Sequence, residues 1–179
     1  MLAGMDAGGF GVLGIVLVIV GFVLLHNGWF GFVKTELKSN AAAVVNFIGG
    51  GTIFIIALFT LLGGAYFSAA IYFLVGLTYL YIGFDHAFGL DARPFGVFCL
   101  TGAIGLFIGG ISTVAGGIVS GFDVWMAIMW FSWAVLWFIL FFECAFGKKF
   151  GKLTPVICVA TTFYTGLIPG FMMLMGLWG

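Results

Sequence analysis

The chain has 179 residues, 64% of them apolar and only 7% charged, and its 6 basic and 6 acidic side chains leave no net charge. Soluble domains are about a quarter charged, so this composition, with a mean hydropathy of +1.30, excludes one. Zero net charge without a basic patch also excludes a nucleic-acid binder. What remains is one integral membrane domain over residues 1–179.

Five stretches carry no Asp, Glu, Lys or Arg: 7–33, 39–84, 94–122, 124–142 and 153–179. A transmembrane helix needs about 20 apolar residues, so 39–84 holds two and each of the others one. The predicted fold is therefore all-α, with six transmembrane helices at 11–33, 42–63, 66–84, 95–116, 123–144 and 154–177. Nothing alternates at every second residue as the strands of a membrane barrel would.

In the first helix Gly14, Gly21 and Gly28 fall seven apart, a narrow strip where another backbone can approach. The Gly-Met-Asp-Ala-Gly-Gly stretch before it reads as a short lead-in. The helix is not a cleavable signal, because no Lys or Arg precedes it and its apolar run is too long. The second and third helices meet at Gly63-Gly64 with almost no loop, and the fourth carries Gly105-x-x-x-Gly109. In the fifth, Trp130, Trp133 and Trp137 share one face, bordered by Met126 and Leu136. The sixth starts at Thr154-Pro155 as cap and first turn, carries Gly166-x-x-x-Gly170, and should be kinked by Pro169. Cys99, Cys144 and Cys158 have no metal-site spacing and read as small buried hydrophobes.

The basic residues set the orientation. Lys34 and Lys38, Arg93, and Lys148, Lys149 and Lys152 all fall in alternate loops on one side. By the positive-inside tendency that side is cytoplasmic, and both termini face outward.

The odd-numbered helices end alike, in Asn27-Gly-Trp-Phe-Gly31, Asp85-His-Ala-Phe-Gly89 and Glu143-Cys-Ala-Phe-Gly147. Asn27, Asp85 and Glu143 stand at one constant interval of 58 residues, the length of a helical hairpin. Three repeated helical hairpins follow, related by an axis along the membrane normal and able to enclose a pore inside one protomer.

Polar groups within the spans are few: Asn27, Asn46, Thr78, Ser132, Thr161, Thr162 and Thr165. No span holds an ionised group at mid-depth, and Asp85 and Glu143 sit at the inner ends of their helices. This argues for a path carrying neutral solute and against a pump. The tryptophan stripe of the fifth helix has two readings, plain packing against neighbouring helices or a flat-walled slot for a planar molecule. Losing its water costs an amide about 4–8 kcal/mol in hydrocarbon. Indole N–H donors with an Asn or Tyr can offset much of that, whereas a bare ion faces a far larger barrier.

The Trp-Phe-Ser-Trp-Ala-Val-Leu-Trp run at 130–137 resembles the fifth helix of the AmiS/UreI family of bacterial urea and short-chain amide channels. So do Val20-Gly-Phe-Val-Leu-Leu-His-Asn-Gly28, Thr78-Tyr-Leu-Tyr81 with Phe88-Gly-Leu-Asp-Ala-Arg-Pro94, Gly151-Lys-Leu-Thr-Pro155 and Ile168-Pro169, together covering about residues 11–178. The resemblance implies a six-helix protomer with its own channel, in a homohexamer around a lipid plug. It implies a lining of Leu13, Leu17, Val20, Leu24 and Asn27 from the first helix and Val75 and Tyr79 from the third. The fifth would add Met126, Trp130, Trp133, Leu136 and Trp137.

Family urea channels often place an aromatic at the position of Val75, a tryptophan at that of Met126 and, in the last helix, a glutamate at that of Thr161. The first two differences open the constriction toward acetamide-sized solutes. Acid-gated members carry a histidine-bearing outer loop after the second helix, and here that loop is almost missing. Only His26 and His86 titrate near neutrality. Both lie toward the cytoplasmic helix ends, and the outward face offers only Asp6 and Asp123, so the expectation is an ungated pore.

The leading expectation is a passive inner-membrane channel for urea and small aliphatic amides, surrounded by lipid and feeding a cytoplasmic urease or amidase. It needs neither metal nor cofactor and performs no chemistry. The alternative within transport is a proton-coupled carrier using Asp85 or Glu143, and a purely structural membrane subunit is the bland reading. An enzyme is excluded by the lack of any Ser-His, Cys-His or HExxH arrangement.

Overall fold

The computed structural model describes residues 7–33 and 39–178 of the chain. They form helices α1 (Ala7–Val33), α2 (Ser39–Leu62), α3 (Tyr66–Phe88), α4 (Arg93–Ala115) and α5 (Gly121–Phe146). A composite sixth span follows, made of α6 (Leu153–Thr161), a π-helical turn (Thr162–Leu167) and α7 (Ile168–Leu174). All six are long and apolar enough to cross a membrane, and no strand occurs among the described residues. Asp6, Lys34 and Lys38 lie outside the described residues, as does the first half of the glycine-rich lead-in. Arg93 and Lys148, Lys149 and Lys152 gather at the end of the bundle where α3 and α5 finish.

Local chemistry sets the boundaries. Gly64 takes a left-handed φ of 82°, which makes the three-residue connection between α2 and α3 possible. Gly89 closes α3 with a left-handed φ of 63°, its N–H donating to Asp85 O. Ser120 and Asp123 form a reciprocal capping box at the start of α5. The sixth span departs from the sequence reading at its start. The helix begins at Leu153 and Lys152 is the capping position, because the Thr154 hydroxyl donates instead to Glu143 Oε1 at 2.8 Å.

The helices associate as three close pairs: α2 with α3, α4 with α5, and the sixth span with α1. The third hairpin is thus assembled from the two ends of the chain. Glycine lets backbone meet backbone in these pairs, since lipid gives helices no hydrophobic reason to associate. A Cβ on Gly76 would stand 3.1 Å from Gly50 O, and one on Gly166 would stand 2.7 Å from Gly21 Cα. Gly14, Gly21 and Gly28 all face the sixth span, as their spacing implies. Gly105 corrects the expectation for α4. A Cβ there meets nothing within 4 Å, while its partner Gly109 packs on Trp130, because only one of two glycines four apart points squarely at α5.

Candidate functional site

A cavity of about 300 Å³ opens at the end of the bundle where α1, α3 and α5 finish. Its walls step along those helices by threes and fours. Asn27, Asp85 and Glu143 form one level near the mouth, Leu24, Ile82 and Leu140 the next inward, and Val20, Thr78 and Leu136 the third. Within each level the residues again stand 58 apart, so the interval seen at the helix ends continues through the cavity. Val75, Tyr79, Trp133 and Trp137 line its inner part, and Thr154, Pro155 and Cys158 close the side facing the sixth span.

Of the twelve residues suggested by sequence, Val20, Leu24, Asn27, Val75, Tyr79, Trp133, Leu136 and Trp137 share this wall. Leu13, Leu17, Met126 and Trp130 lie one to two turns further along α1 and α5. The first is partly buried and the other three fully, and the cavity stops short of them. Ile82 and Leu140 were missed, although carrying the 58-residue interval one turn inward from Asp85 and Glu143 points to both.

The tryptophan stripe divides its neighbours. Trp130 stacks over Gly109 and meets Phe67 edge-on, with centroids 6.4 Å apart. Trp137 fills the notch left by Gly102 and tilts against Phe98 at 5.9 Å. Trp133 turns toward the sixth span and donates its Nε1–H to Thr165 Oγ1 at 2.9 Å. Trp130 thus packs on α4, while Trp133 and Trp137 both hold neighbouring spans and border the cavity.

The polar groups are tied in different ways. Asn27 and Asn46 exchange side-chain amide hydrogen bonds at 2.9 and 2.8 Å, which satisfies the fully buried Asn46 and leaves each Asn27 group one further bonding capacity. Thr78 donates to Leu74 O of its own helix, as Ser132 does to Ile128 O. The Asp85 carboxylate, the Tyr79 hydroxyl and Trp137 Nε1 make no side-chain hydrogen bond to another described residue. His86, also in the wall, packs edge-on against Phe30 at 5.1 Å.

Outside the spans, hydrogen bonds from Arg93 hold the Asp91 carboxyl well below the usual range, at about 2. Asp91 is therefore ionised throughout the physiological range. Being exposed, this pair adds little stability. Among the described residues no three His, Cys, Asp or Glu side chains are placed to hold a metal ion. The arrangement offers N–H acceptors at the mouth, apolar levels behind them and aromatic walls beyond.

The sequence profile of the AmiS/UreI family transporter matches residues 12–177. The acid-activated urea channel of Helicobacter pylori is 30% identical over 93% of this chain and 100% of its own length. A protein of Mycolicibacterium smegmatis described as an amidate substrates transporter is 30% identical, covering 92% of this chain and 78% of itself. The cryo-EM structure of the Helicobacter pylori urea channel in its closed state superposes with a TM-score of 0.84 at 30% identity, over 93% of this chain and 100% of that one. The crystal structure of the same channel gives 0.82 at 32% identity, over 93% and 99% of the two chains.

Proposed function

The chain belongs to the AmiS/UreI family of membrane transporters, and we propose that it is a passive, ungated channel for urea and small aliphatic amides in the bacterial inner membrane. The observation that carries this reading is the cavity whose levels repeat every 58 residues around α1, α3 and α5. A pore along a threefold pseudo-axis has that form.

In this reading Asn27, Asp85 and Glu143 accept N–H bonds from an entering or leaving amide. The Leu24 and Val20 levels strip its water, and Val75, Tyr79, Trp133, Leu136 and Trp137 form the flat-walled constriction. Leu13, Leu17, Met126 and Trp130 continue the path to the opposite face. A neutral planar solute exchanges its water for a few hydrogen bonds and ring contacts. An ion has no compensating charge at mid-depth and is refused. The positive-inside tendency of the basic residues supports a cytoplasmic Asp85 end and outward termini. Six protomers surround a lipid plug, and the solute feeds a urease or amidase.

The absence of gating rests on where titratable groups sit. His26 and His86 belong to the end of the bundle assigned to the cytoplasm, and Asp123 at the other end is held in a capping box. Urea flux into proteoliposomes should therefore be equal at about pH 5 and pH 7 outside. A severalfold rise on acidification contradicts the reading. The Asp85 carboxylate, in the cavity wall without a side-chain hydrogen bond to a described residue, supports a second reading, a proton-coupled carrier. An uncoupler leaves urea flux unchanged if the pathway is passive and abolishes it if Asp85 couples protons. For the enzyme link, deleting the gene should slow growth on dilute urea or acetamide as sole nitrogen source, with growth on ammonium intact.

A further inference from the structure

We propose that Thr165 of the sixth span is a positioning residue that fixes the Trp133 wall and thereby sets which amides pass. The proposal rests on the channel reading above and concerns a residue outside the cavity.

The argument starts from Pro169. Within the π-helical turn each N–H reaches back five residues, as Ile168 N–H does to Phe163 O. The next donor in that register would be residue 169, which as proline has no N–H. Tyr164 O is the carbonyl left over, and Trp125 Nε1 donates to it at 2.8 Å. One indole of α5 thus docks on the defect that Pro169 creates.

One residue further along, Thr165 is completely buried. Its hydroxyl donates to Thr161 O at 2.6 Å and accepts from Trp133 Nε1 at 2.9 Å. Both hydroxyl functions are used, and the edge of Trp133 bearing its only donor is held against the sixth span. The same side chain lines the cavity. A ring held at one edge presents a wall of fixed position. A ring released from it moves within the cavity and admits longer solutes. The bond is buried, where a hydrogen bond is stronger than in water, which makes it effective as a latch.

Thr165→Val keeps the shape and removes the acceptor, while Thr165→Ser keeps the hydroxyl. In proteoliposomes the propionamide-to-urea permeability ratio should rise at least about threefold in Thr165→Val and stay within about twofold of wild type in Thr165→Ser. The indole N–H hydrogen-bond band in the ultraviolet resonance Raman spectrum should shift toward an unbonded position in Thr165→Val alone. In a Trp133→Phe background, with no indole donor, Thr165→Val should not change the ratio further.

An unchanged ratio in Thr165→Val overturns the latch, whether or not the Raman band moves. So does an equal change in Thr165→Ser, which would assign the effect to volume. If Thr165→Val does not fold, Thr165→Ala and Thr165→Ser are compared by the same two readouts, with only the former expected to shift them. Wild-type vesicles passing urea no faster than empty ones would instead contradict the channel reading itself.

Discussion

Gly166→Leu is expected to abolish folded protein. A Cβ at this position would lie 2.7 Å from Gly21 Cα and 3.0 Å from Gly21 N, both backbone atoms of α1 that cannot rotate away. Relief requires the sixth span to separate from α1, which dismantles the one hairpin whose two helices come from opposite ends of the chain. Overpacking a well-fitted core costs about 1–3 kcal/mol, and more where backbone must move. The expected result is loss of the monodisperse peak in detergent gel filtration, or a fall in stability of at least about 3 kcal/mol. Gly105→Leu is the matched control. Its Cβ meets nothing within 4 Å, so peak and melting temperature should not change. A monodisperse Gly166→Leu protein melting with wild type would show that the close crossing of α1 and the sixth span is dispensable.

The second large effect is on selectivity. Trp133→Ala removes a ring that lines the cavity and strands the Thr165 hydroxyl acceptor behind it. Truncating a buried tryptophan costs about 3–5 kcal/mol where the space stays sealed, and less here because the ring already borders a void. The protein should still assemble. Its wall loses a flat face at the level of Val75, so propionamide should gain on urea by about tenfold, more than Thr165→Val achieves, since that change moves the ring without deleting it. Trp137→Ala should also alter flux, as α4 at Gly102 closes on the space the ring leaves. Wild-type flux and ratio in both alanine variants would return the stripe to plain packing.

Much of this was legible from charge and spacing. Five charge-free stretches, one of them long enough for two helices, marked six spans, because an ionised side chain in hydrocarbon is too costly to leave unaccounted for. The repeat at Asn27, Asp85 and Glu143 gave the threefold plan, and the same interval runs through the cavity walls. The neighbour that each helix face meets stayed hidden. Lipid and protein surroundings are equally apolar, so Gly105 and Gly109 read alike although one meets nothing and the other a ring. Periodicity assigned Trp130, Trp133 and Trp137 to one face without showing that the first packs on α4 and the second bonds the sixth span. Pro169 announced a disruption, but its form depends on Trp125, distant in sequence, supplying the missing donor.

Stopped-flow light scattering of vesicles containing the purified protein tests the central claim most directly. Urea and acetamide should each enter well faster than into protein-free vesicles, at rates unaffected by an uncoupler, while potassium should gain no entry. Equal entry of both amides with and without protein would contradict the account.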